Sequence, residues 1–371
     1  MMPRVTILTT VHSPFDTRIF HKQAKTLVEA GYDVTLIAQH DRDEVVEGVQ
    51  IIALPKPKNR LARILGLTWR AFWLALRQKA KVYHFHDPEL VSVALMLKVL
   101  TRSRVVYDVH EDYPLQILSK DWIPGFLCPV VARVVSGLEK IATRVFDGIV
   151  AATPGIARRF PKAKTVVVQN FPLPSEFANR KALPYMERPP RIVYVGGITF
   201  IRGAFEMVKA MAHLPAHLDA ELVLAGRFIP PELQAELRAL PGWERTRFLG
   251  WQDREQVAEL LGQARVGLVI LHPRPNYLDA YPVKMFEYMA AGIPVVASDF
   301  PLWRRIVEES GCGLVVDPLD SEAIAEAIAW LLEHPQEAAA MGERGRRAVP
   351  AKYNWNREAE KLLALYRRLL A

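Results

Sequence analysis

The chain has 371 residues, 50% of them apolar and 24% charged, a balance that excludes a disordered polyelectrolyte and suits two ordinary domains or one large one. Its two cysteines, Cys128 and Cys312, exclude a disulfide framework and a cysteine-based zinc site and fit a reducing compartment. The net charge of +8 is uneven: residues 1–180 hold 25 basic and 16 acidic residues, whereas 181–371 hold 23 and 24.

In chain order, the first residues read as a buried strand, Val5–Thr9, rather than as a secretion signal. No apolar run reaches the ~18 residues of a membrane-spanning helix. A helix over Arg18–Ala30 is predicted to end at Gly31, and Asp33–Ala38 is the next strand. The charged loop that follows contains Asp41-Arg42-Asp43, formally an Asp-x-Asp motif of metal-dependent sugar transferases, read here as a solvated turn leading to another strand. Arg60–Lys79 is a basic helix in which Leu61, Ile64, Leu65, Trp69, Phe72, Trp73 and Leu76 repeat at helical spacing, with Arg63, Arg70 and Arg77 opposite. The apolar face is expected to pack on the sheet; arginine opposite tryptophan and leucine also suits an anionic membrane interface. Val82–His86, a helix near 89–100, Arg104–Tyr107, Gly148–Ala151 and Thr165–Gln169 complete the first half. The strands are apolar throughout, as parallel strands covered on both faces are. Alternation with helices implies right-handed βαβ units and a doubly wound sheet.

Residues 172–190 are proline-rich and weakly periodic, the expected linker. The rhythm restarts with strands at Arg191–Val195, Glu221–Ala225, Val266–Ile270, Pro294–Ala297 and Gly313–Val316. A last helix, Asn354–Leu370, follows an expected bend at Pro350. The fold class is therefore α/β, two Rossmann-like domains. A first domain over 1–171 and a second over 191–351 would face each other across a cleft at the carboxyl ends of their strands, where open α/β sheets bind ligands.

The loops after strands carry the candidate chemistry. In Asn276–Gly292, Pro282 suits the first turn of a helix that Gly292 ends. The helix N-terminus around Pro282 and Val283 offers backbone N–H groups to an anion, Lys284 adds a cation, and Glu287 can accept from ribose hydroxyls. Asp279 precedes the helix. In Val193–Gly203, the pair Gly196-Gly197 lets backbone approach a ligand, and Arg202 can neutralise a diphosphate. The spacing is not the GxGxxG of a nicotinamide-binding fold. Histidines gather at first-domain strand ends: His12, then His84, His86 and Asp87, then His110. A metal at His84-x-His86-Asp87 lacks a third ligand fixed by spacing. Asp16, Arg18 and Lys22 follow the first strand; Asp16 suits a helix cap, while Arg18 is electrostatically misplaced at a helix start.

These motifs resemble glycosyltransferase family 4 (group 1), whose members have the GT-B fold, over nearly the whole chain. DAYPVKMFEYMAAGIPVVASD resembles the family's E-x7-E region, with Glu287 on the ribose-holding glutamate and Asp279 on the glutamate that faces the donor sugar. Aspartate shortens that reach. VGGITFIRG resembles the family's diphosphate loop: Arg202 replaces its lysine, and Gly197 stands where an arginine is usual. Lys284, absent from the usual pattern, compensates. YDVHED resembles the strand that carries a histidine beside the transferring sugar, a role His110 inherits. FLGWQDREQVAELLGQARVGLVIL places Leu249 and Trp251 near the nucleotide base. HSPFDTRIFHKQ replaces the usual glycine-rich first loop, so His12, Asp16, Arg18 and His86 are the expected acceptor-side residues. The resemblance also implies that 352–371 crosses back to the first domain.

The resemblance implies transfer of a sugar from a nucleotide diphosphate sugar, UDP- or GDP-linked, to a glycan or lipid-linked acceptor hydroxyl. Retention of anomeric configuration is expected, with no metal and no further cofactor. The basic first half suggests an anionic acceptor at the inner face of a membrane, in the cytoplasm, rather than nucleic acid. The alternatives are an inverting transferase with His12 as base, a sugar-nucleotide epimerase, and a non-catalytic basic nucleic-acid-binding protein.

Overall fold

The computed structural model describes residues 2–118, 124–173, 176–177 and 182–371. The chain forms two compact units, Met1–Asn170 with Asn356–Ala371, and Phe171–Trp355.

Among the described residues, unit 1 is built on eight strands: β1 (Arg4–Leu8), β2 (Asp33–Gln39), β3 (Glu44–Val46), β4 (Val49–Leu54), β5 (Val82–Phe85), β6 (Arg104–Val109), β7 (Gly148–Ala151) and β8 (Thr165–Val167). Their order is β3-β4-β2-β1-β5-β6-β7-β8, all neighbours parallel except the β3–β4 hairpin. Asp43 pins that hairpin by accepting from Ala53 N at 2.7 Å, so the formal Asp-x-Asp serves a turn. The sheet order reverses direction between β1 and β5, which makes their carboxyl ends a topological switch point.

Buried Leu8, Ile37, Tyr83, Phe85, Val105 and Tyr107 face one helical layer, made by the helices Thr68–Gln78, Val91–Thr101 and Cys128–Val145. The sequence reading had no helix at 128–145. Of the expected sheet-facing stripe of the basic helix, Phe72 is buried and Leu76 packs on the core, but the rest differs. The buried side chains there are Leu67, Thr68, Ala71, Phe72 and Ala75, whereas Leu61, Ile64, Leu65, Trp69 and Trp73 are exposed. Ala71 and Ala75 let this helix lie close to the sheet, and both tryptophans project away. The C-terminal helix Trp355–Leu370 belongs to unit 1 from Asn356 onward. Its Leu365 methyl groups occupy the space beside Gly148, and Glu358 accepts from Gln169 N at 2.8 Å.

Unit 2 has six parallel strands, β9 (Arg191–Val195), β10 (Glu221–Ala225), β11 (Thr246–Gly250), β12 (Val266–Val269), β13 (Val295–Ser298) and β14 (Gly313–Val316), in the order β11-β10-β9-β12-β13-β14. Alternate residues serve the two faces. Ile192, Leu222 and Leu268 join one core, and Val193, Val223 and Val269 the other. The switch point lies between β9 and β12.

One expectation differs here. Pro350 lies inside the helix Pro335–Lys352 and not in the break before the last helix; the helix end is closed when Asn354 Nδ2 donates to the Pro350 carbonyl at 2.8 Å. The expected linker 172–190 is packed where described: Phe177 joins a unit 2 core, and Arg188 Nη1 donates to the Ala264 carbonyl at 3.0 Å. Proline prevents regular structure without preventing burial. Residues 174–175 and 178–181 of that stretch lie outside the described residues.

Candidate functional site

In unit 2, strand β9 runs into Gly196 and Gly197. Gly196 has φ +126°, and a Cβ there would stand 3.4 Å from Lys284 Nζ; a Cβ on Gly197 would stand 3.1 Å from Arg202 Nη1. The glycine pair therefore opens a space that two cations overlook. Arg202 closes a short 3-10 turn, Phe200–Arg202, and the helix Ala204–His213 follows. Lys284 belongs to the first turn of the helix Val283–Ala290. Pro282 is its cap rather than its first residue, and the preceding loop is tied down where Trp303 Nε1 donates to the Ala280 carbonyl at 2.7 Å.

Part of the Lys284 stem is reachable, but its Nζ is buried and has no hydrogen-bond partner among the described residues. It lies 3.5 Å from the centroid of the Tyr194 ring, a cation–π contact. Burial first, and the Arg202 charge second, hold its pKa well below the usual amine range, against an opposing pull from Glu287. Two cations, a glycine turn and a helix N-terminus are thus gathered in one place, a set of groups of the kind that binds anions.

Glu287, one turn into that helix, is buried, and its Oε1 is held by Arg254 Nη1 at 2.7 Å. Arg254 also pairs with Glu176 and lies over the Phe177 ring, 5.6 Å from its centroid. Sequence reading missed Arg254. The signal was present: an arginine follows the Asp253 cap at a helix start, where its charge opposes the dipole. Asp279 is exposed just ahead of Pro282. Leu249 lines a groove at the β11 edge with Arg247, Gln252 and Gln256, and Trp251 is exposed with Arg227 over its ring.

In unit 1 the residues after β1, β5 and β6 do converge. Asp87 accepts from Thr9 Oγ1 at 2.9 Å and from the backbone of Thr10, which fixes the loop after β1. His12 stands between Asp16 (3.5 Å) and Asp87 (3.6 Å), its ring centroid 5.2 Å from that of His110. Burial alone would depress His12, but the hydrogen bond to Asp16 and the charges of Asp87 and Glu111 raise it. Burial would raise Asp16, yet the His12 hydrogen bond and charge draw it down to about 2. His110 Nε2 meets His86 Nδ1 at 2.8 Å and Asp108 Oδ1 at 3.2 Å.

Two acceptor-side expectations do not fit this geometry. Arg18 is 3% exposed, grips both oxygens of Asp108 at 3.0–3.3 Å and donates to the Val168 carbonyl at 2.8 Å. Its odd place at a helix start is explained by Asp108, not by a ligand. His86 is fully buried behind His110, and burial lowers its pKa well below the ordinary value. Asp108, missed as a site residue, is the hub: Arg18 first, then His110, outweigh its burial and hold it strongly ionised.

His84, His86 and Asp108 are also close enough to share a metal ion, with both histidine Nε2 atoms unpartnered. The Asp108 carboxylate, however, already carries the Arg18 guanidinium and the Gln23 amide at 2.5 Å. A cation there would sit beside a fixed positive charge, so these residues fit a metal poorly.

Residues 17–170 match the glycosyl transferase 4-like domain family, and residues 175–348 match glycosyl transferases group 1. The chain is 26% identical over 365 residues to the phosphatidyl-myo-inositol mannosyltransferase of Mycolicibacterium smegmatis, covering 92% of this chain and 87% of that protein. It is 31% identical over 296 residues to the Mycobacterium leprae protein of the same description, covering 77% and 72%. Among solved structures, sucrose-phosphate synthase from Thermosynechococcus elongatus superposes with a TM-score of 0.80 at 21% identity, over 99% of each chain. The Anabaena protein HepE, in complex with UDP and glucose, does so at 0.75 and 14% identity, over 99% and 100%. With both units matched and both folds of the Rossmann type, the chain belongs to the group 1 glycosyltransferases and has the GT-B fold.

Proposed function

We propose that this glycosyltransferase moves a sugar from a UDP- or GDP-linked donor held by unit 2 to an acceptor hydroxyl presented at unit 1, with retention and without a metal. The observation that carries the donor assignment is the buried, unpartnered Lys284 Nζ beside Gly196, with Arg202 next to it. A buried ammonium lacking a hydrogen-bond acceptor is costly unless an anion visits it. As the glycosidic bond lengthens, charge grows on the departing diphosphate, and Lys284, Arg202 and the first-turn N–H groups at Val283 lie ready to stabilise it. Glu287 accepts from the ribose, Leu249 and Trp251 flank the base, and Asp279 meets the donor sugar. In the retaining route the leaving phosphate takes the acceptor proton, and His110 orients the transferring sugar rather than deprotonating the acceptor. His12 and Asp16 receive the acceptor.

The uridine donor is supported by the UDP-bound solved relative. A glycan or lipid-linked acceptor, handled at the cytoplasmic face of an anionic membrane, is supported by the mannosyltransferase relatives, which are named for phosphatidyl-myo-inositol.

One observation favours a second reading. His12 lies 3.5 Å from Asp16, the orientation of a general base backed by a carboxylate. An inverting transferase would use that pair. A thermal-shift screen of nucleotide sugars with this chain, followed by NMR of the product anomer, tests both. A retained anomer made by His12→Ala supports the proposal, and an inverted anomer lost with His12→Ala replaces it. No stabilisation by any nucleotide sugar would overturn the donor assignment.

A further inference from the structure

The helical layer over one face of the unit 1 sheet has an unusual outer surface. A helix packed on a sheet normally turns charged and polar residues to water. Here the helix Thr68–Gln78 and the turns before it expose Leu61, Leu65, Trp69 and Trp73. The neighbouring helix Val91–Thr101 exposes Val99, and Leu100 beside it is 63% accessible. The helix Cys128–Val145, next in the layer, exposes Val130, Val134, Leu138, Ile141 and Val145, a stripe spaced by three and four. Its buried side is Ala132, Glu139, Ala142 and Thr143. The stripe is thus aimed outward by design of the sequence, not left over from packing.

The charges among these residues have one sign. Between residues 56 and 79 there are seven lysines and arginines and no carboxylate, and Val91–Thr101 has none either. On Cys128–Val145 the exposed charges are Arg133, Lys140 and Arg144. Its single acid, Glu139, is turned inward to Tyr107 OH at 2.9 Å and Arg159. A second copy of this surface would set cation against cation across a two-fold axis. An anionic bilayer complements both features, since apolar side chains enter the acyl boundary while the cations reach phosphate.

We infer that this three-helix outer face is a docking surface for an anionic lipid bilayer, with Cys128–Val145 lying in the interface beside the tryptophans of Thr68–Gln78. This inference rests on the membrane part of the proposed function, for which it names the surface, and it needs no donor chemistry.

The test is flotation of the full chain with vesicles of phosphatidylcholine alone and of phosphatidylcholine mixed with phosphatidylglycerol, at low and high salt. Binding is expected to the mixed vesicles only and to weaken with salt. Each interfacial cation contributes a factor of about five, so Arg133→Gln/Lys140→Gln/Arg144→Gln together should weaken binding roughly a hundredfold. Leu138→Ser/Ile141→Ser should weaken it as well, and Trp69→Ser/Trp73→Ser likewise. Thermal stabilisation by a nucleotide sugar reports in the same samples that each variant is folded, and it should be unchanged. Absence of wild-type flotation overturns the inference, as does flotation indifferent to all three variants. A wild-type dimer in sedimentation that Leu138→Ser/Ile141→Ser dissolves would assign the face to a second copy instead.

Discussion

The Lys284 ammonium stands 3.5 Å from the centre of the Tyr194 ring and is buried without a hydrogen-bond acceptor. The same group sits beside the glycine turn after β9, so its discomfort and its use have one origin. A site that keeps a cation out of water before the ligand arrives gains more from the ligand's charge than a solvated cation would. Replacing it by an apolar isostere should therefore separate two properties that usually fall together. Lys284→Met is expected to leave the melting temperature unchanged or raised, while donor affinity falls by roughly thirty- to a hundredfold, the worth of a charge-assisted hydrogen bond of about 2–3 kcal/mol. Calorimetric titration with UDP and differential scanning of the free protein check the two halves.

Lys284 also fixes a pH dependence. Its pKa in the free protein is depressed, chiefly by burial, and the proposed diphosphate would raise it. Above the free-protein value, binding must take up a proton. Donor affinity is then expected to fall as pH rises between the free and bound pKa values, by up to about tenfold per unit. Titration in buffers of different ionisation enthalpy should show proton uptake by the native chain and none by Lys284→Met.

Arg254 holds Glu287 at 2.7 Å and is itself held by Glu176. If Glu287 binds a ribose, it does so before and during reaction alike, so Arg254→Leu should act on binding. The expected result is a donor KM raised about tenfold with kcat little changed. Loss of kcat with an unchanged KM would put Arg254 in a different role.

Arg18 and Asp108 form a pair that is almost wholly enclosed. Removing one partner leaves a buried charge, so Arg18→Met should destabilise by about 3–5 kcal/mol in denaturant unfolding, and Arg18→Met/Asp108→Leu by less. Because the folded pKa of Asp108 is depressed, its contribution is complete above the ordinary carboxylate value of about 4 and is lost only as pH falls through the lower folded value.

Gly226 follows β10 with φ +157°, and a Cβ there would stand 1.8 Å from the Gly196 carbonyl oxygen. Gly226→Ala should cost roughly 2–3 kcal/mol, in the range of enforced backbone strain, and should weaken donor binding because the displaced atoms belong to the glycine turn that the proposed function assigns to the diphosphate. Melting temperature and UDP titration read the two effects.

The framework of both units was legible because parallel strands announce themselves as short apolar runs. Gly148–Ala151, Arg191–Val195, Glu221–Ala225 and Gly313–Val316 fall where the sequence pattern puts them. The placement of Gly196, Arg202, Lys284 and Glu287 was legible for a local reason: they lie in two short stretches whose turn and helix signals are strong. What stayed hidden was whatever depends on which neighbour a side chain meets. Arg18 looked like a ligand-binding cation because nothing in the sequence ties it to Asp108, ninety residues away. The basic helix gave its periodicity but only part of its facing, since Trp69 and Trp73 turn outward while Ala71 and Ala75 join Phe72 inward, against the usual rule. Arg18 and Arg254 share the one clue that was available, a cation at a helix start, and in both cases the explanation is a distant carboxylate.

The helix that ends the chain completes the unit that begins it. Tyr366 OH meets His84 Nδ1 at 2.9 Å inside unit 1, and His84 in turn lies against Asp108. The strands of unit 1 precede unit 2 in the chain, yet side chains that seal them come from residues beyond it. Unit 2 is contiguous; unit 1 closes the back of its strand-end histidine cluster only with residues that follow 355. A lesion in the helix Trp355–Leu370 therefore strikes the unit whose strands lie at the opposite end of the sequence.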